Sequence, residues 1–99
     1  MRVNITREAE ADLERIGEFI AYDSPRRAVS FLDELLSTCE KLSLSPRAFP
    51  FLTGFESTGL RRRPYGNYII LYRITGEAID IIHIVHGARD YRAMLMDDE

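Results

Sequence analysis

The chain is poor in the residues that announce a chemistry. Its 99 residues hold one cysteine, no tryptophan, two histidines and six glycines. With Cys39 alone no internal disulfide can form, and a reducing compartment fits. The glycines are dispersed, which excludes a phosphate-cradling loop. His83 and His86 stand three apart, on opposite faces if they lie on a strand, and no Cys/His set joins them. Neither a metal nor a cofactor is therefore expected. No run reaches the roughly 18 apolar residues of a membrane span, and no charged-then-apolar leader is visible. The expectation is a cytoplasmic protein with no membrane partner.

Lysine is also nearly missing. Lys41 is the single lysine among 13 basic residues, against 16 acidic ones and a net charge of −3. Arginine is the better residue for bidentate carboxylate or phosphate contacts. Acidic groups crowd the first 42 residues. Arg61, Arg62, Arg63, Arg73, Arg89 and Arg92 make the stretch 60–92 locally basic.

What the sequence does have is patterning, and it reads as one domain over 1–99. Leu60 to Asp90 carries three strands. Tyr68–Ile74 and Ile79–Val85 are rich in β-branched and aromatic residues, and Gly66-Asn67 and Gly76-Glu77 supply hairpin turns. Parity puts Ile70 and Tyr72 opposite Ile69 and Leu71, and sets Ile79, Ile81, His83 and Val85 against Asp80, Ile82, Ile84 and His86. Both faces are apolar, so both need cover. The expected fold is α+β: an N-terminal strand (Arg2–Ile5), an antiparallel helix hairpin packed on an antiparallel sheet made of the meander plus that first strand, and a short C-terminal tail or helix. Thr6 caps a helix running to about Tyr22. Ser24-Pro25 starts a second, carrying Phe31, Leu32, Leu35, Cys39 and Leu42 on one face. Gly17, inside the first helix, implies either close approach of the second helix or a kink. Ser43–Gly59 is a long connection, pinned by Phe49, Phe51, Leu52 and Phe55, with a functional lid as the alternative. The hairpin can cover one sheet face. The tail or a partner must cover the other.

The local motifs resemble the RelE/ParE superfamily of bacterial toxins. They are Ile5-Thr6 followed by Ala9–Ile16, Gly59-Leu60-Arg61-Arg62, Pro64–Arg73, and Val85-His86-Gly87-Ala88-Arg89-Asp90. Their order and spacing are most similar to the ParE branch. The resemblance implies a toxin of a type II toxin–antitoxin system, neutralised in a hetero-oligomer by a ParD-type antitoxin. It implies DNA gyrase as target, without sequence-specific nucleic-acid binding. Target contact is expected through Arg89, Asp90, Tyr91, Arg92 and Met94. Antitoxin contact is expected through Ile16, Phe19, Ile20, Phe31 and Leu35, with Arg63 and Arg73 meeting acidic groups.

RelE-like toxins instead cut messenger RNA on the ribosome. Arg89 matches their late arginine, and Arg61 with Arg63 stands in for their basic strand pair. Ile69 and Leu95, however, occupy the places of a middle-strand arginine and a C-terminal tyrosine. No catalytic residue is therefore assigned. The alternative reading is a ribosome-dependent endoribonuclease using Arg61, Arg63, His86 and Arg89. A third is a degenerate toxin that only binds its antitoxin and regulates its operon.

Overall fold

The computed structural model describes residues 1–97; Asp98 and Glu99, the end of the acidic tail, lie outside the described residues. The elements are β1 (Arg2–Ile5), α1 (Arg7–Asp23), α2 (Pro25–Lys41), β2 (Arg61–Tyr65), β3 (Tyr68–Thr75), β4 (Ala78–His86) and α3 (Arg92–Asp97), with short 3-10 turns at Leu42–Leu44 and Glu56–Thr58. The sheet order is β1-β4-β3-β2. The meander is antiparallel as its turns require, and β1 joins β4 in parallel, Val3 beside Ile79 and Ile5 beside Ile81. The four-stranded sheet is therefore mixed. Parallel neighbours need a long crossover, which the two helices, the connection and two strands provide.

Two capping residues set the hairpin. Thr6 Oγ1 accepts from the Ala9 N–H (3.2 Å) and donates to the Ile81 carbonyl (2.6 Å), so one hydroxyl both starts α1 and ties it to β4. Ser24 ends α1 and begins α2, its Oγ accepting from the Arg27 N–H at 3.2 Å. Between the helices a Cβ at Gly17 would stand 2.9 Å from Leu32 Cδ1. Close approach explains the glycine; α1 runs through it unbroken.

Both sheet faces are covered by the chain itself. Ala9, Ile16, Phe31, Leu35, Cys39 and Leu42 pack on Ile70, Tyr72, Ile79, Ile81 and Ile84. On the other face Leu52, Phe55 and Leu60 of the connection and Leu95 of α3 close over Ile69, Leu71 and Val85. The connection is thus an ordered strap that shares the cover with the tail. Arginines fasten it: Arg61 lies 4.1 Å over the Phe51 ring and donates to the Phe49 carbonyl at 2.7 Å, while Arg63 lies 4.9 Å over Phe49. Each such stack is worth about 0.5–2 kcal/mol.

One parity expectation is corrected. Leu71 pairs with His83 but Tyr72 pairs with Ile81, so Ile82 is an extra residue in β4. The bulge flips the alternation. Ile84 joins the helix-side core and Val85 the opposite cluster, the reverse of a regular strand.

Burial pushes the Cys39 thiol up to about 12. The unfolded thiol ionises first, so this contribution is fully present below about pH 8.5 and is lost as pH rises toward the folded value. Iodoacetamide at pH 8 is expected to leave Cys39 untouched in the folded chain and to label it at the unfolding rate in denaturant. Rapid labelling without denaturant would contradict the packing. Among the described residues, no helix is long and apolar enough to cross a membrane.

Candidate functional site

The candidate site is the exit from β4 and the segment it carries. At the end of β4 the Gly87 N–H donates to the Asn67 carbonyl (2.8 Å) and the Arg89 N–H to the His86 carbonyl (3.1 Å), turning the chain sharply. The His86 ring stands edge-on to Tyr68, centroids 5.3 Å apart. Its Nδ1 accepts from the Ala88 N–H at 3.1 Å. A neutral ring in that bond carries its proton on Nε2, so His86 faces solvent as a donor. To act as a base it must first give up the turn. Beside it lies an open cavity of about 340 Å³ lined by Arg62, Asn67, Tyr68, His86 and Ala88.

From this turn the chain passes to α3. Asp90 Oδ1 accepts from the Arg92 N–H at 3.3 Å. Tyr91, Met94 and Leu95 sit against the second sheet face, half-buried, half-buried and buried. Arg92 donates to the Thr53 carbonyl at 2.7 Å and lies 5.8 Å over Phe55, so it clips α3 to the strap. Arg89 is exposed, and its guanidinium makes no hydrogen bond or ion pair among the described residues. Of the five expected target contacts, Arg89 and Asp90 thus present free faces, while Tyr91, Arg92 and Met94 divide their surface between solvent and the fold.

Of the arginines in the alternative nucleolytic set, Arg89 is free, while Arg61 and Arg63 stack on the strap. Ile69 and Leu95 share one apolar cluster, so polar groups are replaced there by packing. Among the described residues, no group of three His, Cys, Asp or Glu side chains is placed to hold a metal ion.

The residues expected to meet an antitoxin fall in two places. Ile16, Phe31 and Leu35 are buried between hairpin and sheet, and Ile20 is half-buried beside them. They hold the fold together. Phe19 is the exception at 74% exposed, accompanied by Tyr22 (93%) and Val29 (64%), which the sequence reading missed. Their signal was available: each is apolar or aromatic yet off the helices' buried stripe. Arg63 and Arg73 are half-buried on the sheet. Arg73 stands opposite Asp80, whose carboxylate accepts from Asn4 at 3.0 Å, and the Arg73 Nε is a buried donor without an acceptor among the described residues.

A network invisible in the sequence joins hairpin to meander. Glu34 accepts from Arg27 (2.6 Å) and from the Tyr65 hydroxyl (2.7 Å). Those bonds, Arg27 first, hold its carboxyl below the usual range, and the Tyr65 hydroxyl is raised in turn.

Three comparisons bear on this arrangement. The family model described as the ParE toxin of the type II toxin–antitoxin system parDE matches residues 3–91. A chain of the chromosomal ParDE system from P. aeruginosa superposes with a TM-score of 0.72 at 21% identity, covering 87% of this chain and 95% of that one. A chain of the RelBE2 toxin–antitoxin complex from Mycobacterium tuberculosis superposes with a TM-score of 0.63 at 27% identity, covering 86% of this chain and 95% of that one. A search of curated proteins finds no match.

Proposed function

Since the chain belongs to the ParE toxin family of type II toxin–antitoxin systems, we propose that it acts without catalysis, by engaging DNA gyrase in the cytoplasm through the segment Arg89–Met94, and that a ParD-type antitoxin neutralises it by direct binding. One observation supports this reading: the exit segment is displayed on a firm base, while Ile69 and Leu95, at the places of two RelE-type polar groups, are taken up by packing. Leu95 and Tyr91 seat the segment; Arg89 and Asp90 face outward from it. A displayed charged edge on an apolar footing suits protein recognition, where arginine and tyrosine dominate binding energy.

The test adds purified chain, freed of antitoxin, to gyrase, plasmid and ATP, with a translation reaction in parallel. Lost supercoiling or trapped linear plasmid with intact translation is the expected result. Cut messenger RNA with unaffected gyrase would replace this reading by the endoribonuclease one, and no effect on either would leave the degenerate toxin. Within the gyrase reading, Arg89→Glu is expected to weaken inhibition about tenfold or more, the cost of reversing a charge at a contact. Its melting temperature should stay within about 2 °C, as for other exposed substitutions. Unchanged potency would remove Arg89 from the contact.

A further inference from the structure

The second sheet face holds an arginine whose head the fold leaves unused. Register pairs Arg62 with Leu71, whereas Arg61 and Arg63 pair with Tyr72 and Ile70 of the helix-side core. Arg62 therefore stands on the opposite face from its two neighbours. The strap that engages their side chains takes only the Arg62 backbone, whose N–H donates to the Pro50 carbonyl at 3.0 Å. Its guanidinium, on a half-buried residue, makes no hydrogen bond, ion pair or ring contact among the described residues. Arg62 lines the open cavity of about 340 Å³ at the β4 exit, with Pro64, Asn67, Ile69, His86 and Ala88. That lining brings donors and no carboxylate. The Asn67 side-chain amide has no partner among the described residues, and His86, its Nδ1 taken by the Ala88 N–H, has Nε2–H to donate. Pro64, Ile69 and Ala88 supply apolar wall. Arg89, also free, follows Ala88 directly.

We propose that this cavity receives an aspartate or glutamate side chain of the gyrase target, with Arg62 as its principal cation. The inference rests on the gyrase reading above and adds a contact residue outside Arg89–Met94 and the chemistry it selects. Geometry and charge decide the occupant. A guanidinium offers two parallel N–H donors that match a carboxylate, and apolar wall beside them suits the methylenes that carry it. A nucleic-acid strand is a polyanion and needs a basic track along its backbone. Here Arg61 and Arg63 are stacked on the strap, and the chain as a whole carries a net charge of −3. A single carboxylate meets the local positive field and little of that overall charge, because charges farther than about 8–10 Å are screened at physiological salt.

The experiment measures affinity for gyrase free of DNA, and inhibition of supercoiling, for wild-type chain, Arg62→Met, Arg62→Lys and the control Arg47→Met on an exposed part of the strap. Circular dichroism verifies folding of each. Methionine keeps an apolar stem and removes the charge. Arg62→Met is expected to lose about tenfold or more in both readouts and to show a weaker salt dependence, because charge pairs are screened while apolar contact is not. Arg62→Lys should recover part of the loss, having the charge without the fork. The control should behave as wild type does. Undiminished gyrase affinity in folded Arg62→Met would overturn the cavity and leave the gyrase reading standing. Unchanged affinity for DNA-free gyrase, with binding to a labelled single-stranded RNA lost in Arg62→Met, would give the cavity to a phosphate and overturn the proposal. A wild-type chain that neither binds nor inhibits gyrase would overturn both.

Discussion

Replacing Asp12 with alanine is expected to lower the melting temperature by about 15 °C or more, the largest loss available from one polar side chain here. Asp12 is 5% exposed and sits on α1 where the shorter β1 has already ended. Pairing between β1 and β4 stops at Ile5 and Ile81, while β4 continues to His86. Past that point the Asp12 carboxylate accepts the Ile84 N–H at 2.8 Å in place of a strand. The same Oδ2 bonds His83 Nδ1 at 2.9 Å, and Oδ1 accepts from Arg15. Alanine leaves the Ile84 amide buried with its acceptor gone and strips His83 of its partner at Nδ1. Removing the hydrogen-bond partner of a buried polar group costs about 1–3 kcal/mol, and alanine does so at both the Ile84 amide and His83 Nδ1. For a domain of this size about 1 kcal/mol shifts the midpoint by about 4–8 °C. Asp12→Asn keeps one accepting oxygen and should fall between alanine and wild type. Thermal unfolding followed by circular dichroism reads the series; an alanine variant melting within about 2 °C of wild type would show that this network does not hold the edge.

Nothing in the sequence marks Asp12. It is one of many acidic residues on α1, and only the mismatch between a four-residue and a nine-residue strand gives it work. The elements themselves were legible because their signals are local: Thr6 and Ser24-Pro25 fix helix starts, Gly66 and Gly76 take positive φ angles in the hairpin turns, and Gly17 marks the helix crossing. The bulge at Ile82 was not legible. Ile79–Val85 is apolar at both parities, so a one-residue slip leaves no trace in the pattern. Most of the apolar positions expected to meet an antitoxin lie in the core for a related reason. Ile16, Phe31 and Leu35 are the most regular apolar positions of the hairpin, and regularity marks the face turned toward the chain's own sheet. The exposed apolar residues of the hairpin are those that break the pattern: Phe19, Tyr22 and Val29. Arg61 and Arg63 show the same limit, since a basic strand reads as a site until the aromatic strap is seen folded across it.

Leu95→Asp is expected to abolish growth arrest while sparing the body of the fold, and it separates the two sheet faces. Leu95 is 4% exposed, the buried anchor of a helix of six residues. Such a helix has almost no stability of its own in water, so it stays ordered through docking. Burying a leucine side chain contributes about 1.5–3 kcal/mol, and placing a carboxylate in the same apolar site adds a larger opposing cost unless the segment leaves. Undocking is the cheaper response, because the helix-side core from Ile16 to Ile84 does not include Leu95. The variant should retain its helical circular dichroism to within the loss of α3. It should also bind a hydrophobic dye more strongly as Ile69, Leu71 and Val85 lose part of their cover. If Arg89–Met94 meets the target from a fixed platform, potency against gyrase should fall by about tenfold or more, since each contact must then be ordered on binding. The helix hairpin lies across the sheet from α3. An antitoxin that binds on the hairpin should therefore keep its affinity while toxicity disappears. Joint loss of both, in a chain that still folds, would place antitoxin and target on the same side of the sheet.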